Sequence, residues 1–373
     1  MSDTPYAENN TTKQEETEHF ICHSCAGNMV FEPDKQKLVC PYCSNEGEIN
    51  SEKSNIIEYD FNNAEYTSNK NWGNEKRIIK CESCAAETVL DENSTAQFCA
   101  FCGSSHIIKT EEVAGIVPES LIPFKISKDN SEKLFLKWIK KLFFAPKALK
   151  SSHNMDRMKG VYIPFWTYDS KTFSDYTAQR GTYYYVTETH WVQEGGKRKQ
   201  VSKQVRKTSW SFVRGNYSKF FDDVLINASA QINKKIISKL EPFNLKELVQ
   251  YKPEFLSGFL AERYSIDLKS GWNLAEGKIE NDLRVEIKHH IGGDEVRSLS
   301  VSTSYDAIKF KHILLPIWIS TYIYKEKVYR FMINGQTGEV DGESPVSILK
   351  VVLLIFVIAV LVGVGFYIYQ ISK

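Results

Sequence analysis

The eight cysteines of this 373-residue chain fall into two copies of one frame. Cys22-x2-Cys25 is followed, after 14 residues, by Cys40-x2-Cys43, and Cys81-x2-Cys84 is followed, after 14 residues, by Cys99-x2-Cys102. The copies are offset by 59 residues and no cysteine is left over. A C-x2-C turn points two thiolates at one centre, and two such turns brought together by a β-hairpin complete a tetrahedron of sulfur ligands. A short duplicated unit with its own ligand set is a repeat whose copies each fold around a metal. A disulfide framework and redox C-x-x-C pairs are the competing uses. Thiols stay reduced in the cytosol and no βαβ pattern flanks the pairs, so the spacing predicts two structural Zn2+ ions. One is expected on Cys22, Cys25, Cys40 and Cys43, the other on Cys81, Cys84, Cys99 and Cys102. Two closed sulfur sites leave no open coordination position, so neither metal is expected to be catalytic. A module of about 30 residues cannot hold itself with a hydrophobic core, whereas a structural zinc contributes on the order of 10 kcal/mol or more to its folding. With four thiolates in each set, His23 and His106 read as ordinary turn and surface residues.

Charge divides the chain. Overall it is +1, but residues 1 to 110 carry 9 basic and 18 acidic side chains, and the remainder 38 basic and 28 acidic. Each zinc with its four thiolates would add a further −2, taking the front to about −13. A ribbon that grips phosphates needs Lys and Arg around it. The second ribbon offers chiefly Glu82, Glu87, Asp91 and Glu92 with Lys80. Nucleic-acid binding by this surface is therefore disfavoured, and protein contact is expected.

The two ends are equally distinct. Met1 to His19 has five acids, one Lys and almost no apolar residue, so burial cannot offset its ordering entropy; it is expected to be a disordered acidic tail. It lacks the basic and apolar regions of a secretory signal, so the N-terminal bulk is expected in the cytosol. Val351 to Tyr369 is a 19-residue run without a charge, about 28 Å long as a helix. Lys350 and Lys373 bracket it, and Tyr367 and Tyr369 sit at interfacial positions. This predicts a single C-terminal membrane anchor over 348–371, with the bulk of the chain cytosolic.

The resulting division is an acidic tail (1–19), ribbon 1 (20–46), a polar linker (47–76), ribbon 2 (77–110), a cytoplasmic body (111–345) and the anchor. Ser44 to Lys76 holds eight Asn, seven acids and three Lys, with Ile56, Ile57, Tyr59, Phe61 and Trp72 as its apolar anchors. In the body, Leu134, Phe135, Trp138, Ile139, Leu142 and Phe143 recur at helical spacing, predicting a helix over about 130–144 that ends before Pro146. Its other faces carry Lys133, Lys137, Lys140 and Lys141, which suit an anionic membrane surface, but packing of its apolar stripe on the body is the expected use. Runs rich in Tyr, Val, Thr and Trp predict strands over Val161 to Tyr168, Thr182 to Val192 and Lys203 to Val213, the last two joined at Gly195-Gly196. That hairpin is basic, with Lys197, Arg198, Lys199, Lys203, Arg206 and Lys207. Helical stretches follow near 229–240, 254–264 and 274–290, then strands over Ile313 to Tyr324 and Val328 to Ile333. Ile163-Pro164-Phe165-Trp166 and Leu315-Pro316-Ile317-Trp318 share one signature, consistent with a diverged duplication. The fold class is α+β: two small four-cysteine zinc ribbons, a larger α+β body with an antiparallel β-sheet, and one C-terminal transmembrane helix.

No catalytic constellation emerges. The chain lacks G-x-x-x-x-G-K-[ST], H-E-x-x-H and G-x-S-x-G. Lys288-His289-His290 and Asp222-Asp223 have no positioned partner and read as structural or surface residues. The expectation is a non-enzyme.

Together the paired ribbons, Phe220-Phe221-Asp222-Asp223, Gly258 to Tyr264 (GFLAERY), and Lys311 to Trp318 leading to Asn334-Gly335-Gln336-Thr337-Gly338-Glu339-Val340 resemble a bacterial tail-anchored double zinc-ribbon family. Its members are described as transcription-factor-IIB-type zinc-ribbon or primosomal protein N′-like (replication factor Y) proteins. The chain has no nucleotide-binding loop, so the helicase role is not carried over. The resemblance implies a membrane adaptor in envelope-stress assemblies with phage-shock-protein-A-like and flotillin-like partners. The alternative expectation is a zinc-ribbon nucleic-acid-binding protein at the membrane.

Overall fold

The computed structural model describes residues 20–50, 56–63, 77–90, 99–105, 107–109, 116–146, 158–194, 197–324 and 327–371. The acidic tail, Trp72, Asp91, Glu92, His106 and Gly195-Gly196 lie outside these residues. The fold is α+β, as expected.

Ribbon 1 is a three-stranded antiparallel sheet of β1 (Val30–Glu32), β2 (Lys37–Val39) and β3 (Glu46–Gly47). The remaining strands form one twelve-stranded sheet. In chain order these are β4 (Tyr59–Asp60), β5 (Arg77–Cys81), β6 (Glu87–Leu90), β7 (Ile107–Lys109), β8 (Ser120–Leu121), β9 (Lys159–Glu194), β10 (Lys197–Asn227), β11 (Val249–Gln250), β12 (Leu260–Glu262), β13 (Glu295–Tyr324), β14 (Lys327–Asn334) and β15 (Val340–Gly342). The described α-helices are α1 (Lys128–Lys141), α2 (Lys234–Leu240), α3 (Leu268–Ile291) and α4 (Ile348–Ile371).

Three strands dominate. β9 spans 36 residues, β10 31 and β13 30, so β9 alone has a contour of about 120 Å. β13 pairs antiparallel with β9 from Glu295↔Gly181 to Ile319↔Lys159, and β10 lines the other edge of β9 from Lys197↔Glu194 to Asn227↔Phe165. The strands expected at Val161–Tyr168 and Thr182–Val192 are thus pieces of a single strand. The segment between them alternates with period two, but Thr172 and Ser174 occupy buried positions beside Tyr176 and Ala178, so hydrophobicity alone does not reveal the alternation. Likewise β13 begins well before Ile313; its outer portion is rich in Ser and Thr and lacks the apolar signal of the inner part. Bulges at Phe221/Val224, Arg297/Ser300 and Asp306/Lys309 carry Asp223, Ser298 and Ala307 at positive φ and bend this three-stranded blade.

One face of the blade is covered by α3, whose Leu268, Trp272, Ala275, Ile279, Leu283, Ile287 and Ile291 form a buried stripe. Asp267 caps its start by accepting the Ser270 N–H at 2.8 Å, and Gly292 at φ 67 ends it. Beyond Gly181 and Trp210 the blade loses β13, and β9 and β10 continue as a two-stranded arm. Tyr185 and Trp191 on this arm are about two-thirds exposed.

Two helical expectations are corrected. Residues 254–264 form a 3-10 turn (Pro253–Leu256) and then β12, because Gly258, at φ 85, turns the chain between them. The stretch near 229–240 is helical only over α2, which Asn233 caps by accepting the Lys235 N–H. The helix expected over 130–144 is α1, and the one over 274–290 is α3 with an earlier start.

The contacts place the two copies of the shared signature in equivalent surroundings. Short β8 runs parallel to β13 and short β12 runs parallel to β9. Each short strand is followed by a long helix and a long strand: β8, α1, β9 and then β12, α3, β13. The tryptophans of the repeated signature do the same job, since Trp318 Nε1 donates to the Ile126 carbonyl (2.8 Å) just before α1 and Trp166 Nε1 to the Ile266 carbonyl (2.9 Å) just before α3. The two signature segments pair with each other, Leu314 opposite Pro164 and Leu315 opposite Ile163.

Both ribbons are built into this body. Met29, Phe31 and Leu38 share a core with Phe124, Phe255 and Leu256; the Phe31 N–H donates to Ser257 O, and the Ser257 hydroxyl to Met29 O. In ribbon 2, β6 pairs with β12 through Ala261↔Val89 and Glu262↔Thr88, so its sheet is continuous with the body's. Three linker anchors dock as well, Ile56 against the cluster that holds Ile122 and Ile313. Tyr59 pairs with Phe310 of β13 and donates its hydroxyl to Glu119, and Phe61 packs on Trp272 with ring centroids 5.7 Å apart. Ile57 remains exposed.

Candidate metal centres

All four C-x2-C segments fold into the same turn. At Cys22, Cys40, Cys81 and Cys99 the cysteine N–H donates to the carbonyl five residues on, and the cysteine carbonyl accepts from the N–H four residues on. That fourth residue is left-handed in every copy: Ala26 (φ 56), Ser44 (φ 60), Ala85 (φ 60) and Gly103 (φ 73). Only one of the four is glycine, so three of these turns hold an alanine or serine in a conformation such residues rarely adopt. Strain repeated at equivalent positions marks a geometry the site demands. These positions carry no sequence signal besides the cysteine spacing itself.

The turns bring each expected ligand set together. Within each cluster the four sulfurs lie within 4.8 Å of one another. Cys22 and Cys43 approach to 3.4 Å, Cys25 and Cys40 to 3.4 Å, Cys81 and Cys102 to 3.6 Å, and Cys84 and Cys99 to 3.7 Å. A tetrahedral ion with metal–sulfur bonds of about 2.3 Å sets its sulfurs about 3.8 Å apart, so the cage has the right size for such an ion. In both clusters the first and third cysteines are buried and the other two more open.

The electrostatics are uneven within each cluster, lowering some thiols and raising others. The Ser24 N–H, against the opposing effect of burial and joined by the Cys25 N–H, lowers the Cys22 thiol to about 6. In the second cluster the hydrogen bond with Cys84 brings Cys99 down to about 5, again against burial, while the same contact pushes Cys84 up. Without a cation, one anion is sheltered at its neighbour's expense; four together require positive charge. His23 is exposed and belongs to neither cluster. Around the second cluster, Lys80 pairs with Glu87 at 3.3 Å, and Arg263 reaches Glu87 at 3.7 Å.

A second polar centre lies where β9, β10 and β13 meet, and sequence reasoning did not find it. Lys311, only 6% exposed, pairs with Asp223 at 2.6 Å and with Glu58 at 3.2 Å. Asp169, also buried, accepts the Asp223 N–H at 2.8 Å across the bulge. Burial raises Asp169 to about 6, partly countered by the Asp223 N–H and Lys311. Asp223 is thus structural, as its sequence context suggested. The signal available was a Lys-His pair heading the apolar run Ile313 to Ile319, where a charge must be compensated.

His312 adjoins this centre, with Nδ1 2.8 Å from the Ile116 carbonyl. Burial lowers its pKa from 6.5 to about 4. The folded value lies below the unfolded one, so this group's stabilisation is complete above about pH 6.5 and is lost as pH falls toward about 4. Its imidazole resonances are therefore expected not to titrate between about pH 8 and pH 5.5 in NMR spectra; a midpoint near the ordinary histidine value of about 6.5 would contradict the burial.

The remaining candidates disperse. His290 lies at the end of α3, near Tyr217 with centroids 5.4 Å apart. Arg206 stacks on Tyr183 at 4.2 Å, and Lys207 pairs with Glu188 at 2.9 Å on the arm. Residues 350–371 of α4 form a helix long and apolar enough to cross a membrane, and none of its apolar window is buried by the rest of the chain.

The chain is similar to a curated bacterial protein. It is 26% identical over 336 residues to uncharacterized protein YdjG of Bacillus subtilis (strain 168), covering 89% of this chain and 91% of that protein. No family model matches the chain, and no solved structure matches it.

Proposed function

We propose that this protein is a membrane-tethered, cytosol-facing adaptor. Two structural Zn2+ ions held by the Cys22/Cys25/Cys40/Cys43 and Cys81/Cys84/Cys99/Cys102 cages lock its base, α4 anchors it in the bilayer, and its partners are proteins. The observation that carries this reading is the blade. Among the described residues β10 pairs with β9 alone, so the whole length of its outer edge presents backbone N–H and C=O groups along a strand of about 100 Å. Such an edge is a template for an added strand of another protein. On the arm it is flanked by exposed Tyr184, Tyr185 and Trp191 and by Arg198 and Arg206, residue types that dominate binding energy at protein interfaces. Tethering raises the effective concentration of any partner at the membrane without new contacts. Phage-shock-protein-A-like and flotillin-like proteins are the partner class suggested by the family resemblance, within an envelope-stress assembly.

The test is affinity capture from detergent-solubilised membranes with the full chain, a Cys81→Ser variant, and a chain whose arm (182–209) is replaced by a two-residue turn. Trimming the arm is expected to leave zinc content at two equivalents and membrane recovery unchanged while removing the captured protein. Capture that survives both changes would refute the adaptor reading. Binding to nucleic acid that falls steeply with salt, and with neutralisation of Lys197, Arg198 and Lys199, would replace it with the nucleic-acid alternative.

A further inference from the structure

The start of the anchor is not a free linker. In its first turn the Ser347 N–H donates to the Phe144 carbonyl at 2.9 Å, and the Lys350 ammonium donates to the carbonyls of Phe143 (2.8 Å) and Ala145 (2.7 Å). The same ammonium sits 5.8 Å from the centre of the Phe143 ring. A segment fastened by three hydrogen bonds to the first turn of a membrane-spanning helix must lie at the level where that helix enters the bilayer. That segment directly follows α1. The buried side of α1, with Ser131, Phe135 and Ile139, packs against the body, so the helix cannot lay its apolar stripe on lipid. Lys133, Lys137 and Lys141, spaced four apart, occupy the opposite, exposed side, and Lys140 joins Lys141 in the last turn. Just past them Phe143 is 64% exposed, and across the junction Val346 (59%) and Ile348 (75%) are exposed too. Three large apolar side chains left in the open at one joint, next to a row of ammonium groups, match a headgroup boundary better than water.

From this we infer that the end of α1 and the start of α4 form a foot that binds the surface of an anionic bilayer. Phe143 seats among the upper acyl chains, and Lys137 and Lys141 contact acidic headgroups. Lys350 is engaged by the two carbonyls, so it acts as the bolt of the joint, and the recognition falls to the α1 lysines. The foot fixes how the body stands on the membrane, which a lone helix on a flexible linker would leave undetermined. This inference rests on the reading of α4 as a membrane anchor.

The experiment uses the full chain in nanodiscs made of phosphatidylcholine alone or with one-third phosphatidylglycerol. Phe143→Trp and Phe356→Trp variants are compared with the wild type in lipids brominated near the headgroup end or near the chain end. The Trp at 356 reports whether α4 is in the bilayer at all. The added fluorescence of the 143 variant is expected to be quenched by the shallow bromines and less by the deep ones. Quenching at 356 with none at 143 would overturn the foot while leaving the anchor standing; quenching at neither would overturn both. Hydrogen exchange over residues 128–145 is expected to slow in the anionic discs by about fivefold for each contacting lysine. The Lys137→Gln/Lys141→Gln double variant should lose that slowing and keep the quenching at 143. Equal exchange of the wild-type segment in the two lipids would remove the anionic preference.

Discussion

Cys99→Ser is expected to cost this protein its folded body as well as one metal ion. Cys99 is 7% exposed and belongs to the same apolar cluster as Ile122, Ile163 and Phe165 and as Ile313 and Leu315 of β13. Its ribbon is not a bead on a string: β6 pairs with β12, and β12 pairs with β9. A closed sulfur site contributes on the order of 10 kcal/mol or more to folding, which matches the whole stability of a typical domain at about 5–15 kcal/mol. Losing one ligand should therefore release β5, β6 and β7, expose the apolar face of β12 and β9, and abolish the cooperative transition. The measurements are bound zinc per chain, expected to fall from two equivalents to about one, and resistance to limited proteolysis. A variant that melts like the wild type with two equivalents bound would show that the second cage is not a structural metal site.

Lys311→Met is the second large effect. It removes the buried cation from a group of carboxylates: Asp223 at 2.6 Å, Glu58 at 3.2 Å and, one hydrogen bond away, Asp169. Lys311 is buried, but Asp223 and Glu58 are about a quarter to a third exposed and Glu58 keeps Lys309 at 3.3 Å, so the loss is expected to fall below the about 3–5 kcal/mol of a fully buried pair. The loss should depend on pH in a definite direction. Burial holds Asp169 up at about 6, above its unfolded value of 3.8, so the stabilisation tied to its proton is complete below pH 3.8 and lost as pH rises through about 6. Without the Lys311 ammonium that loss deepens, so the variant should lie closest to the wild type in mildly acidic buffer and furthest from it near pH 8, about two pH units above the Asp169 midpoint. Denaturant melts of both proteins across this range check it. A second change, Asp223→Asn, should recover part of the deficit, and full additivity of the two would mean that the pair does not interact.

Much of this molecule can be read from its sequence, and what cannot be read fails for identifiable reasons. The ligand sets are legible because metal geometry forces a fixed spacing on cysteines. The helix α4 is legible from its unbroken apolar run, the length that crossing a bilayer demands. The α1 stripe is legible from its period, and the repeated Pro-x-Trp signature points to a duplication whose two tryptophans brace equivalent helix starts. The long strands are read only in pieces, since Thr172 and Ser174 fill buried positions where apolar residues would have shown the alternation. The 254–264 segment misleads because Phe255, Leu256, Phe259 and Leu260 fall at helical intervals while Gly258, at φ 85, breaks the run. The Lys311 centre joins Glu58, Asp169, Asp223 and Lys311 from four distant parts of the chain, and no local pattern records such a meeting.

The length of β9 has a mechanical consequence. A pull on the far end of the arm against α4 runs along the strands, so the hydrogen-bonded rungs between β9 and β13 are loaded in shear and share the force together, instead of opening one after another like a zipper. The bulges at Asp223, Ser298 and Ala307 are the compliant points of this beam. With α4 held in a bilayer, as proposed, a tug at the far end would reach that bilayer as tension, with little of it spent in stretching the protein between.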